Sequence, residues 1–255
     1  MPVRRQFWWL GTTSHLECYA LLLGEAARPT FDPNDFSVRI SRDEWNKLVT
    51  DPDKPLLNKA IQAQLAPGST FKIIMATAGW QEGIAQTLHV NCAGSAEFYG
   101  RRFGCWVKSG HGAVDIEKAI YQSCDVFFYT LAEKLGIDRI AKYATALGLG
   151  QKTGIDLPNE VSGVMPSEEW KIRNFKQKWF AGETISVGIG QGAVATTPIQ
   201  MARAIGAIAS GGLLVRQADS RAAQDGHCRG TCVRRRGGLQ GIRFGALVQR
   251  DSGRR

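Results

Sequence analysis

No stretch of this chain approaches the roughly 18 consecutive apolar residues that cross a bilayer as a helix. The N-terminal segment comes nearest, with Phe7-Trp8-Trp9-Leu10 and Tyr19-Ala20-Leu21-Leu22-Leu23 behind Arg4-Arg5, but Thr12, Thr13, Ser14, His15 and Glu17 interrupt it. Residues 1–27 are therefore expected to be a segment without a membrane anchor. A disulfide framework is missing as well, because the six cysteines (Cys18, Cys92, Cys105, Cys124, Cys228 and Cys232) fall at irregular spacings. Only Cys92 and Cys105 are candidates to pair, across the loop that holds Gly94 and Gly100, if that loop faces an oxidising compartment. Cys124 reads as a packed side chain. Lysine is absent from residues 216–255, which carry ten Arg and three Asp, a net of +7; residues 1–215 hold 22 Lys plus Arg against 20 Asp plus Glu, a net of +2. The overall charge of +9 thus describes a tail, not the body. That tail has Phe244 as its one aromatic and no helical or strand periodicity, so a solvated, disordered state is expected, with no specific nucleic-acid partner. His227, Cys228 and Cys232 are too few ligands for a metal site. No cofactor and no metal ligand are expected anywhere.

What the chain does have is Pro67-Gly68-Ser69-Thr70-Phe71-Lys72. After the Pro-Gly turn, residues 70–82 read as a helix with Ser69 at its N-terminal edge. Positions i and i+3 share a helical face, which puts Lys72 beside Ser69. A serine hydroxyl becomes a useful nucleophile only when a neighbour takes its proton, and a lysine does that best when burial disfavours its charge. Phe71, Ile73, Ile74, Met75, Ala76 and Ala78 make the helix apolar almost all round, so burial is expected. The plainer reading of the same residues is a helix cap followed by a snorkelling lysine.

Ser123-Cys124-Asp125 follows; Ser41-Arg42-Asp43 fits the same pattern but lies on the wrong side of Ser69, so the surroundings decide. S-x-x-K followed by S-D-N and K-T-G is the signature set of serine β-lactamases and penicillin-binding proteins. Residues 56–83 and 110–136, Gly154-Ile155-Asp156-Leu157-Pro158, Met165-Pro166 with Trp170, and residues 184–201 with Gly188-Ile189-Gly190-Gln191-Gly192 resemble the transpeptidase domain of the elongation-type penicillin-binding proteins. The resemblance runs over residues 28–215. Members of that group often carry Asp at the position of Asp125. It implies that Ser69 attacks a D-alanyl-D-alanine carbonyl and becomes acylated, Lys72 is the base, Ser123 relays a proton, and Asp125 holds the relay and contacts substrate. The implied partners are a peptidoglycan stem peptide, β-lactams and, for full-length members, membrane proteins of the elongation complex at the periplasmic face of the inner membrane. Ser123 and Asp125 also read as helix caps, Asp125 for a helix over 126–135.

The third motif belongs on a strand beside the nucleophile, and neither of two triplets qualifies. Lys152-Thr153-Gly154 runs into Pro158, which bars it from a central strand. Lys108-Ser109-Gly110 precedes the second motif and is out of order. The expected fold is α+β, a penicillin-binding transpeptidase fold that is incomplete: mostly the helical part, with the C-terminal sheet strands missing. Helices are expected at 70–82, 116–122, 126–135, 138–147 and from Pro198 to about 210, the last burying Ile199, Ala202, Ile205 and Ala209. Strands are expected in parts of 88–107 and at 184–189. Without the sheet, the helix after Ser69 is expected to lack a surface to bury against. The abrupt change after residue 215 suggests a shifted reading frame. The functions left open are a D,D-transpeptidase, a serine β-lactamase-like hydrolase and a non-catalytic interaction remnant.

Overall fold

Ser41 accepts a hydrogen bond from the Glu44 N–H, and the Glu44 carboxylate accepts one from the Ser41 N–H; this capping box starts α1 (Arg42–Thr50). The computed structural model describes residues 29–214 apart from Val38, Asp156 and Leu213. The expectations for residues 1–27 and for the tail, His227, Cys228 and Cys232 included, lie outside the described residues. α2 (Lys59–Gln62) is a single turn. A 3-10 turn, Gly68–Phe71, then runs directly into α3 (Lys72–Gln81).

Two antiparallel ribbons follow. β1 (Val90–Cys92) pairs with β4 (Gly112–Val114), with Cys92 opposite Gly112. β2 (Ser95–Phe98) pairs with β3 (Arg101–Gly104) across Tyr99-Gly100, where both residues have positive φ, +53° and +73°, as a two-residue hairpin turn requires. α4 (Ile116–Tyr121) is capped by Asp115, and α5 (Asp125–Leu135) and α6 (Ile137–Ala146) meet at Gly136. α7 (Glu168–Phe175), α8 (Ala181–Val187) and α9 (Pro198–Ala209) complete the chain. Among the described residues the strands form only these two ribbons, so the described part is mostly the helical part of an α+β domain.

The centre of the core is α5, which touches α3, α4, α6, α8, β1 and β3. Phe127, Phe128 and Leu131 on α5 pack with Phe71, Ile74 and Met75, all of them buried. The helix after Ser69 therefore does find a surface, which corrects the expectation that it would lack one: α5 and α6 cover it. A smaller cluster joins Ala60, Ile61, Ile155 and Ile199.

Residues 184–189, expected as a strand, lie on α8 and the turn after it. Thr184, Ile185 and Val187 favour a strand by propensity, but all three are buried on the helix that packs on α5, and packing overrides propensity. α9 begins as expected, with Pro198 at its first position and a Thr197–Gln200 capping box. Its buried face is rotated from the expected stripe: Ile199, Gln200, Met201, Arg203, Ala204 and Ala207 are buried while Ala209 is exposed. Gln200 is tolerated there because its amide donates to the carbonyls of Gln151 and Ser162.

Candidate active site

The 3-10 turn puts Ser69 and Lys72 in register. With three residues per turn, side chains at i and i+3 eclipse, and the Lys72 N–H bonds back to the Ser69 carbonyl. Ser69 is exposed, whereas Lys72 is only 3% exposed. Gly190, at φ +70°, seats the following loop against this turn: the Gly68 N–H donates to the Gly190 carbonyl at 2.9 Å, and a Cβ on Gly190 would meet Gly68 O at 2.3 Å. The Gly188–Gly192 stretch thus acts as a wall for the turn that carries Ser69.

Lys72 reaches from α3 to the second motif. Its Nζ donates to Ser123 O at 2.9 Å, to Ser123 Oγ at 3.0 Å and to Asp125 Oδ1 at 2.5 Å, and lies 5.7 Å from the Phe128 ring centroid. Three acceptors for three ammonium protons leave the buried cation fully bonded. The structure brings Lys72, Ser123 and Asp125 into direct contact and sets Ser69 one turn away.

Neither of the caps that the second motif offers as an alternative forms. Cys124 is the N-cap of α5 and Asp125 is its first residue, so the Asp125 carboxylate turns away to Lys72 and to the Trp106 N–H at 3.1 Å. Ser123 sits in the left-handed region at φ +53°, between the end of α4 and the start of α5. Trp106, absent from the sequence reading, also donates its indole N–H to the Gln122 carbonyl.

The two spare lysine triplets lie outside every strand. Lys152 is exposed in an irregular segment whose Thr153 N–H, Thr153 hydroxyl and Gly154 N–H all donate to the buried Glu160 carboxylate. Lys108 is exposed in the turn between β3 and β4.

Beside the second motif lies a group that the sequence reading did not find. Cys92 and Cys105 are free thiols, not a disulfide, and they gather with Cys124 and His111 so that all four donor atoms lie within 4.8 Å of one another. His111 Nδ1 is 3.6 Å from Cys92 Sγ and 3.5 Å from Cys105 Sγ. A tetrahedral zinc ion, with bonds of ~2.3 Å to sulfur and ~2.0 Å to nitrogen, needs S–N edges of roughly 3.5 Å. Burial pushes the Cys92 thiol up, but the Gly94 N–H, the His111 ring and N–H and the Cys124 thiol, all bonded to its sulfur, outweigh that and bring it down to about 7. Burial, with Cys92 beside it, pushes Cys124 up. Three thiols and an imidazole at these separations fit a thiophilic metal ion. Only the close approach of β1 to β4 makes the set visible, because its members are spread over 33 positions of sequence without a compact Cys-x-x-Cys pair.

Comparison with known proteins agrees with this geometry. The penicillin binding protein transpeptidase domain matches residues 22–217. The peptidoglycan D,D-transpeptidase MrdA of Acinetobacter baumannii is 41% identical over 198 residues, covering 75% of this chain and 29% of that protein. MrdA of Escherichia coli is 38% identical over 196 residues, covering 76% and 31%. Among solved structures, PBP2 of Pseudomonas aeruginosa in complex with WCK 5153 is 40% identical, with a TM-score of 0.68 over 71% of this chain and 42% of that one. PBP2 of Helicobacter pylori is 32% identical, with a TM-score of 0.71 over 86% and 42%. The chain spans less than a third of the length of those two curated relatives. By its match over most of its length and by these relatives, the chain belongs to the family of penicillin-binding-protein transpeptidase domains.

Proposed function

We propose that this domain performs the acyl-serine chemistry of peptidoglycan cross-linking. Ser69 Oγ attacks the carbonyl between the two D-alanines of a stem peptide, the peptide bond breaks, and the terminal D-alanine leaves. An amine of a neighbouring stem peptide then takes the acyl group and frees the serine. The observation that carries this reading is the Lys72 ammonium, buried one turn from an exposed serine and bonded to Ser123 Oγ and Asp125. Moving one ammonium proton to Asp125 frees the amine to accept the Ser69 proton; the Ser123 hydroxyl then passes a proton to the leaving nitrogen and regains one from Lys72, to which Asp125 returns its own.

A β-lactam presents the same kind of carbonyl, so Ser69 is expected to open its ring and stay acylated. Among the described residues neither lysine triplet lies on a strand beside Ser69, where an oxyanion donor is worth about 3–4 kcal/mol. Cys92, Cys105, His111 and Cys124 would hold a structural metal ion, with no part in acyl transfer. Its role would be to tie the β1–β4 ribbon to the second motif through Cys124.

The elongation-type relatives favour cross-linking over hydrolysis. The H. pylori relative has been solved in complex with MreC, which supports elongation-complex proteins as partners; peptidoglycan as the substrate of the relatives favours the periplasmic face of the inner membrane as the site of action for full-length members. No helix of the described residues is long and apolar enough to cross a membrane. Incubation with penicillin should add one penicillin mass per chain that persists for hours. Rapid turnover of a chromogenic cephalosporin with no lasting adduct would instead mark a β-lactamase-like hydrolase, and neither adduct nor turnover would mark a non-catalytic remnant.

A further inference from the structure

Two donors on one residue reach either side of Ser123. The Trp106 backbone N–H donates to Asp125 Oδ2 and its indole N–H to the Gln122 carbonyl, each at 3.1 Å. Between those two acceptors Ser123 holds φ +53°, a conformation that a residue with a Cβ keeps only when its surroundings fix it. Lys72 fixes the turn through the Ser123 carbonyl, the Ser123 hydroxyl and Asp125 Oδ1. Trp106 supplies the other hold, and it comes from a different part of the chain.

The loop that bears Trp106 is itself firmly seated. The Cys105 N–H donates to the Gly94 carbonyl at 2.8 Å, and Gly110, at φ +82°, lies so close to β1 that a Cβ there would come within 2.0 Å of Cys92 O. The Trp106 ring lies 5.7 Å from the His111 ring, yet Trp106 is 64% exposed. An exposed ring adds little to the core, so the directed hydrogen bond of its indole N–H is its main contribution.

We infer that Trp106 is a positioning residue for acylation: its indole N–H pins the Gln122 carbonyl so that the left-handed turn presents the Ser123 hydroxyl to Lys72. The inference rests on the acyl-serine reading above. Its consequence is specific. Loss of the indole N–H should slow proton relay without weakening the initial capture of ligand.

The test follows the time course of penicillin addition by intact mass at several penicillin concentrations, which separates the first-order acylation constant from the dissociation constant of the preceding complex. Trp106→Phe keeps a ring and removes the N–H; Trp106→Ala removes both. Each should lower the acylation constant by about five- to tenfold. The dissociation constant should stay within about twofold, and far-UV circular dichroism should match the unaltered chain. An unchanged acylation constant in Trp106→Phe overturns the inference. So does a loss carried wholly by the dissociation constant, which would make the ring a ligand contact, or a loss that accompanies a changed dichroism spectrum. If the unaltered chain takes no penicillin, the acyl-serine reading fails, and the role of Trp106 falls with it.

Discussion

Lys72 makes the local chemistry depend on its partners. With Asp125 removed, a cation that is 3% exposed loses its short ion pair and keeps only bonds to Ser123. Breaking one side of a buried pair typically costs about 3–5 kcal/mol. Asp125→Ala is therefore expected to lower stability by about 3 kcal/mol in urea unfolding, and Asp125→Asn by less, since an amide oxygen still accepts from Nζ. Equal stability of Asp125→Ala and the unaltered chain would contradict the pairing. Lys152 offers the contrast. Lys152→Ala should leave penicillin acylation within about twofold of the unaltered chain, whereas Lys72→Ala should reduce it by about 100-fold or more, the scale of a general base. Comparable losses in both variants would mean that the Lys152 triplet belongs to the site.

Helices meet through a few polar ties as well as through the core. The Tyr143 hydroxyl on α6 donates to Glu82, just past the end of α3, at 2.7 Å. That bond, then Arg139, holds the Glu82 carboxyl below its ordinary value, while burial and the same bond push Tyr143 up to about 12. A lowered carboxyl gives stability that is present above its unfolded value and lost as pH falls through the folded one. A raised phenol gives stability that is present below about pH 10 and lost as pH rises through 12. Tyr143→Phe should cost about 1 kcal/mol at pH 7, and the difference between the two chains should shrink below about pH 4.5. A difference that stays constant down to pH 3 in urea titrations would rule the bond out as its source.

The Cys92, Cys105, His111 and Cys124 group invites a metal experiment at the same scale. Zinc at about 100 times its dissociation constant should add about 2.7 kcal/mol of stability, and cadmium should give thiolate charge-transfer absorption in the near ultraviolet. Cys105→Ser should weaken both. No binding of either ion at equimolar concentration would leave the group as four packed side chains.

What could be read without coordinates follows the range of the interactions involved. The capping of α9, with Pro198 behind Thr197, and the apolar turn after Ser69 are local signals and appear as expected. Residues 184–189 failed because their β-branched side chains say strand while a neighbour nine Å or so across a helix packing, of the kind α5 makes with α8, says otherwise. The capping alternative for Asp125 fails because its carboxylate's partners, Lys72 and Trp106, lie 53 and 19 positions away, beyond any local pattern. Cys124 is packed, as the sequence suggests, but its neighbours Cys92, Cys105 and His111 come from β1 and from the segments around β3 and β4, so the group as a whole leaves no local signal.

For the molecule as a whole, the body and the basic tail make separate predictions. Residues 216–255 carry +7 of the net charge of +9, so any salt-dependent affinity for DNA should disappear when they are deleted. Retained affinity would place a nucleic-acid surface on the body. Acylation should fall on Ser69, and peptide mapping of the penicillin adduct by mass spectrometry locates it. One adduct per chain is expected, on the peptide containing Ser69, and none in Ser69→Ala. An adduct on any other residue, or one that survives Ser69→Ala, would contradict acylation at Ser69.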